Sequence, residues 1–328
     1  MSRFVIAGSI FVTAALTGAT AFAQCPNDDV LLTNQTAVQT FTDDFPNCVD
    51  LTGDLVILGT VVDLSPLGSI ESVAGSLQVR TSTLETASFP QLTTVGDLLS
   101  VDNNTVLTNI EFPALQLLDD GIFLGFNPVL GTFALDITGI GGNIAVVFND
   151  SLAVLDLSSL VTGGPTNTGD NLDLRSNPSL TDVDLSSLVT VNGRLWVEDN
   201  AALTELYLPV LVEVGDSMSL GRDLEIAENH GLRRLDLPSL TTVGGELIVR
   251  DNSTLFDCCS LQTFLDLGSP DVLIENNAMG CDSIVDIERS CRRPAVEVPT
   301  LSRSAAGVLV LLVTIAGVGF LRRFRGQG

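Results

Sequence analysis

The chain predicts an all-β fold, a parallel β-solenoid of leucine-rich rungs about 22–24 residues long, followed by one C-terminal transmembrane helix. Three observations predict it. Asparagine recurs at Asn104, Asn127, Asn149, Asn177, Asn200, Asn229, Asn252 and Asn276, in steps of 23, 22, 28, 23, 29, 23 and 24 residues. Around each of them runs a common frame, L-x-V-x-x-N-x-x-L-x-x-L-x-L-P/S-x-L-x-x-V-G, seen plainly in LWVEDNAALTELYLPVLVEVG and LDLRSNPSLTDVDLSSLVTVNG. Its x-L-x-L segments alternate with the period of strands, and helical periodicity is hard to find. Finally, Ala305–Leu321 is an uncharged apolar run of 17 residues, at the short end of what spans a bilayer.

Met1 to Ala23 has an early arginine, the apolar run FVIAGSIFVTAAL and Ala21-Phe22-Ala23 before Gln24, the order of a cleaved secretory signal peptide. Phe22 and Gln24 are wrong for a lipoprotein signal, so Cys25 is not read as a lipid anchor. Residues 24–52 form an N-terminal cap. The six cysteines of an exported chain point to disulfides, and they sit at the two ends of the regular region. Cys25 and Cys48 are the natural pair; Cys258, Cys259, Cys281 and Cys291 allow three pairings that sequence does not separate.

Residues 53–291 carry the repeat. A single rung orders too many residues for the apolar surface it can bury, so stacking must supply the rest through strand-to-strand hydrogen bonds and shared apolar contacts. Eight or nine rungs about 4.8 Å apart predict a rod of roughly 40 Å. The asparagine slot falls at the corner after the first strand of each rung, where its amide can bond backbone in its own turn and in the rungs on either side. One or two degenerate rungs precede, with Thr or Ser near that slot (LVILGT, LQVRTSTLETASFPQLTTVG). Glycines at 75, 96, 193, 215 and 244 mark the turn before the strand.

Motifs such as SLTTVGGELIVRDNSTL and SLVTVNGRLWVEDNAAL resemble those of the receptor L-domain family, the β-solenoid of the insulin and epidermal growth factor receptors, with related repeats in fungal cell-wall and bacterial surface proteins. The resemblance covers about residues 48 to 291. It implies a right-handed parallel β-solenoid with disulfide-bearing ends. Neither a cysteine-rich module nor a kinase accompanies the array here, so receptor signalling is not implied.

Residues 292–304 read as a linker that holds Val298-Pro-Thr-Leu-Ser302, and Arg322, Arg323 and Arg325 in the tail 322–328 follow the apolar run 305–321. The arginines place the tail on the cytoplasmic side. Motif, apolar run and arginine cluster together resemble the IPTL-CTERM type of bacterial sorting tail, departing from it at Arg303-Ser304, where that family has an acidic residue and tryptophan. The resemblance implies a sorting enzyme in a Gram-negative envelope and removal of the helix; a permanent single-span anchor is the other reading.

Residues 24–297 contain all 40 acidic residues against ten arginines and no lysine, a formal balance of −30. Such a surface repels nucleic acid and anionic lipid, and excludes nucleic-acid binding. No catalytic constellation stands out. His230, the single histidine, sits beside Asn229 at a turn, and no G-x-S-x-G motif accompanies it. The expectation is a non-enzymatic cell-surface protein without a cofactor, and the alternatives are a polysaccharide-active β-helix enzyme (lyase or hydrolase) and a purely structural envelope component.

Two outward stripes follow from the frame. On the second strand Glu111, Ala134, Asp156, Asp184, Tyr207 and Asp236 line up, and Asp156, Asp184 and Asp236 are candidate calcium ligands, against the simpler reading of a solvated face. On the first strand the stripe is Gln78, Ser100, Phe123, Ala145, Asp173, Trp196, Glu225, Ile248 and Leu273, more apolar than a solvated face. Trp196, the single tryptophan, stands between inward Leu195 and Val197, with Asp173 and Glu225 as its cross-strand neighbours. The two long steps come from insertions at 163–171 and 215–223, which flank this rung. Trp196, Asp173, Glu225, Phe123 and Ile248 are therefore the candidate contact residues for a glycan or protein ligand, with Trp196 as an aromatic platform. The competing reading has Met218 or Leu220 folded over the indole as a lid.

Overall fold

Strands with alternating inward leucines can bury them only against other rungs, and the computed structural model shows how. It describes residues 25–163, 172–215, 222–268 and 271–292; the leader, the sorting motif, the run 305–321 and the tail lie outside them. Among the described residues no helix is long and apolar enough to cross a membrane.

The rungs stack into a parallel solenoid. Its main sheet has eleven strands, Val30–Asn34, Leu55–Thr60, Leu77–Ser82, Leu99–Asp102, Ile122–Gly125, Ile144–Val147, Leu172–Arg175, Leu195–Glu198, Arg222–Ala227, Glu246–Arg250 and Val272–Glu275, paired in that order. At about 4.8 Å per step the sheet runs for roughly 48 Å, longer than eight or nine rungs would give. The cap segment supplies its first strand, with Val30 paired to Leu55. Shorter strands build the other faces, including the five two-residue strands that begin at Gly139, Thr162, Thr190, Glu213 and Thr242. In the rung of Trp196 the inward side chains Leu195, Val197, Leu203, Leu206, Leu208, Leu211 and Val214 are all fully buried. A Cβ on Gly75 or Gly96 would clash with the backbone of the preceding rung, at Asp54 and Ala74 respectively, which is why this turn takes glycine.

The asparagine slot is a continuous buried ladder. Asn104, Asn127, Asn149, Asn177, Asn200, Asn229 and Asn252 are all fully buried. Asn200 is typical: its backbone N donates to Asn229 Oδ1 at 3.0 Å. Its Nδ2 donates to Leu174 O of the preceding rung (2.8 Å), Glu198 O of its own rung (3.1 Å) and Asn229 Oδ1 (3.2 Å). At one end Ser82 takes the slot, its N and Oγ both donating to Asn104 Oδ1. At the other end the assignment of Asn276 is corrected: Asn277 accepts from Asn252 N at 3.1 Å and donates to Val249 O at 2.8 Å. The ladder then stops on Asp282, whose carboxylate accepts from Asn277 N. Asn276 instead occupies the preceding position, which in nine successive rungs adopts a left-handed backbone: Thr81, Asn103, Phe126, Phe148, Ser176, Asp199, Glu228, Asp251 and Asn276, with φ between 45° and 59°. The doublet Asn276-Asn277 hides the one-residue slip, because asparagine suits both slots.

The ends are closed covalently. Cys25 joins Cys48, and the four remaining cysteines pair as Cys258–Cys281 and Cys259–Cys291. A helix, Gln35–Asp44, covers the first rung with Val38 and Phe41 buried. Its N-cap is Asn34, whose Oδ1 accepts from Ala37 N at 2.9 Å. Helices Leu261–Asp266 and Ile284–Cys291 flank the last strand in sequence, with Phe264 and Ile287 buried.

These bonds separate two neighbouring asparagines. Asn277→Ala is expected to cost about 1–3 kcal/mol, since it strands buried backbone groups. Asn276→Gly, which keeps the left-handed backbone and removes only an exposed bond to Asp251, is expected to change stability much less. Denaturant unfolding of the two variants checks this, and equal losses would count against the ladder register.

Candidate functional site

Alternation in the main sheet places residues i, i+2 and i+4 of each strand on one face. The outer row is in the register its spacing predicts: Gln78, Ser100, Phe123, Ala145, Asp173, Trp196, Glu225, Ile248 and Leu273 are successive cross-strand partners. Two residues on lies a second outer row, Arg80, Asp102, Gly125, Val147, Arg175, Glu198, Ala227, Arg250 and Glu275. In it Arg80 is the register partner of Asp102, Arg175 of Glu198 and Arg250 of Glu275, so neighbouring strands carry opposite charge at these positions.

Trp196 is half-buried, and its surroundings differ from those of an open platform. The guanidinium carbons of Arg175 and Arg194 each lie 3.5 Å from the ring centroid. Two guanidinium groups cannot share one face at that distance, so the indole is sandwiched between them. Both faces that a sugar would need are occupied, and Trp196 is not an open stacking platform. The lid residues Met218 and Leu220 lie outside the described residues. Arg194 is two residues before Trp196 and Arg175 is on the adjoining strand, so alternation alone could have placed both on this face.

Ion pairs lock the arginines. Arg175 makes a bidentate bond to Asp173, Nε to Oδ1 and Nη2 to Oδ2, both at 2.6 Å. Arg194 pairs with Glu225, whose side chain is fully buried, and Arg250 reaches the same carboxylate at 3.0 Å. Arg250 also lies 2.7 Å from Asp251, 3.4 Å from Glu228 and 3.6 Å from Glu198. Burial first, and then the nearby charges of Glu225 and Glu228, push the Glu198 carboxyl above the ordinary value. The Arg250 hydrogen bond holds Asp251 below its ordinary value. Asp173 and Glu225 thus serve as anchors of arginines. Ile248 is buried too, so neither it nor Glu225 is available as an open contact residue, whereas Phe123 is half-buried. Trp196 Nε1 is buried, with no hydrogen-bond partner among the described residues.

The second-strand stripe is not a continuous carboxylate ladder. Asp156 and Asp184 are register partners, but Glu111 and Asp236 belong to two other short sheets. Asp156 and Asp184 each accept from a backbone N–H two residues on, at Ser158 and Ser186, while Asp236 pairs with Arg234 at 2.7 Å. These carboxylates hold turns and an ion pair, and among the described residues no group of three or more His, Cys, Asp or Glu side chains is arranged to hold a metal. His230 is exposed at its corner.

Sequence reasoning missed the left-handed corner and what fills it. Phe126 and Phe148 occupy two adjacent corners, exposed by 44% and 46%, with ring centroids 4.9 Å apart and planes 12° from parallel. Phe123 lies 6.5 Å from Phe126, which carries the aromatic surface from the sheet face to the corner. The signal was a bulky aromatic immediately before the ladder asparagine, in GFN and VFN.

No protein family model matches the chain. Over 100 residues it is 30% identical to a protein of Arthroderma benhamiae described as a cell surface GPI-anchored protein. The aligned stretch is 30% of this chain and 25% of that protein, so the chain spans about a quarter of the length of the relative it matches.

The sandwich makes two measurable statements. Trp196 fluorescence is expected to resist acrylamide, and Arg175→Met, which uncovers one face, is expected to increase quenching; Trp196→Ala should cost about 1–3 kcal/mol through two lost cation–π contacts. Unchanged quenching in the Arg175 variant would exclude the stack. For Glu198 the sign follows from its raised folded-state value: the folded protein binds the proton more tightly, so this contribution to stability falls as pH rises past the unfolded carboxyl value. Glu198→Gln is therefore expected to raise the melting temperature relative to the native protein more at pH 7 than at pH 4, as measured by thermal melts at both.

Proposed function

We propose that the chain is a non-enzymatic, surface-associated repeat scaffold that presents the outer face of its main sheet to a glycan or protein ligand. The observation that carries the reading is the pre-organisation of that face. Side chains stand at fixed spacing on paired strands, Arg175, Arg194 and Arg250 are held by carboxylates, and an aromatic surface adjoins them. A face already rigid loses little conformational freedom when it binds. The cell-surface description of the fungal relative supports the location, as do three disulfides that fit an oxidising compartment.

To the same proposal belong the right-handed L-domain-like coil, export by the leader 1–23, and anchoring through 305–321 with the arginine tail 322–328 inside. The Gram-negative assignment and the sorting enzyme rest on the IPTL-CTERM-like tail alone and gain nothing from a fungal relative.

A glycan array with the full-length protein, run beside a reducing-sugar assay on neutral and acidic polysaccharides, tests the reading. Binding without release of reducing ends is expected. Ala145→Arg, which puts a long charged side chain on the outer face, should weaken binding about tenfold, or ~1.4 kcal/mol. Ser186→Arg, an exposed position in the turn after the strand Asp182–Asp184, should leave it unchanged. Release of reducing ends would favour the enzyme, and equal effects of both substitutions would remove the main face from the account.

A further inference from the structure

We propose that the Phe126–Phe148 corner, continued on to the sheet by Phe123, binds a neutral polysaccharide chain by packing its exposed ring surface against the apolar C–H faces of the sugars. The inference rests on the interaction-surface reading and names the chemistry of its ligand. It begins from backbone strain. Phe126 and Phe148 have φ of 59° and 56°, in the left-handed region that bulky side chains rarely enter. At the seven other corners the slot is filled by Thr, Asn, Ser, Asp or Glu. The fold therefore does not need an aromatic there, and two rings left nearly half exposed do not recover the strain by burial. Strained residues of this kind concentrate where a ligand uses them.

Their surroundings are adapted to them. A Cβ on Gly125 would lie 2.8 Å from Phe123 Cζ, so glycine at this position lets the Phe123 ring lie over its own strand toward Phe126. The corners on either side carry Asn103 and Ser176, short side chains that can donate and accept hydrogen bonds. An aromatic surface bordered by an amide and a hydroxyl fits a pyranose, which has an apolar C–H face and a hydroxyl rim. Corners recur about every 4.8 Å along the stack, so the column runs with an extended chain.

Charge and size select among occupants. The formal charge of −25 opposes a second copy of the chain and opposes anionic glycans. Three rings offer far less than the roughly 800 Å² per partner of a stable protein interface.

The test uses the full-length protein with insoluble cellulose, chitin and β-1,3-glucan, followed by calorimetry with the corresponding hexasaccharides and with polygalacturonate. Retention by at least one neutral polysaccharide and none by polygalacturonate is expected. The double variant Phe126→Asn, Phe148→Asn places at both corners a residue already used at Asn103 and Asn276. It should bind at least tenfold more weakly with an unchanged or higher melting temperature, whereas Tyr207→Ala, an exposed aromatic on another sheet, should bind as the native protein does. Any of four results would overturn the proposal: no neutral polysaccharide is retained; the double variant binds within twofold of the native protein; its melting temperature falls, making the rings structural; or the native protein is a dimer that the double variant dissolves. If the double variant binds normally while Ala145→Arg does not, the interaction-surface reading survives and the corner assignment falls.

Discussion

Everything in this molecule depends on the hydrogen-bonded asparagine ladder at the corner of each rung. A coil of parallel strands must turn sharply after every strand of the main sheet, and a buried turn leaves backbone groups without partners. One amide per rung answers that need in three directions at once: Asn200 bonds its own rung, the one before and the one after. The geometry requires the preceding residue to be left-handed, and it makes each rung contingent on its neighbours. The two ends therefore need separate solutions, which are Ser82 and Asp282 within the ladder and the three disulfides with their flanking helices beyond it.

That regularity sets up the second organising feature, the placement of charge. An excess of carboxylates keeps the exposed sides of a stacked sheet apart from other chains. On the main face, by contrast, Arg175, Arg194 and Arg250 are committed to carboxylates. Arg175 and Arg194 enclose Trp196, while Asp173 and Glu225 hold them there. The buried Glu225 carboxylate is stabilised by Arg194 and Arg250, and removing either arginine would leave part of a buried charge uncompensated. The arginines that enclose the indole are held by carboxylates, and the exposed aromatic surface lies at the phenylalanine corner rather than at the tryptophan.

How much of this was legible follows from the kind of interaction involved. Seven of the ladder asparagines, the inward leucines and the outer row from Gln78 to Leu273 could all be read, because each recurs once per rung in a chain that stacks in register. Asn276 was misplaced by one residue because asparagine satisfies both adjoining slots, and only the hydrogen bonds to Asn252 and Asp282 distinguish Asn277. The role of Asn34 as a helix cap was hidden for a related reason: the helix it starts, Gln35–Asp44, is too short to show a strong period.

By itself, then, the sequence determined the architecture: the strand period, the rung length, the direction each side chain points and the cysteines at the ends are local or periodic properties. The tertiary structure decided what those side chains meet. Arg175 and Arg194 reach the same indole from different rungs, Cys258 chooses Cys281 over Cys291, and Phe126 stacks on Phe148 across a rung step. Such contacts depend on side-chain reach between neighbouring rungs, or on rotamers set by packing. Periodicity can put two residues on one face, but it does not say which of them touch.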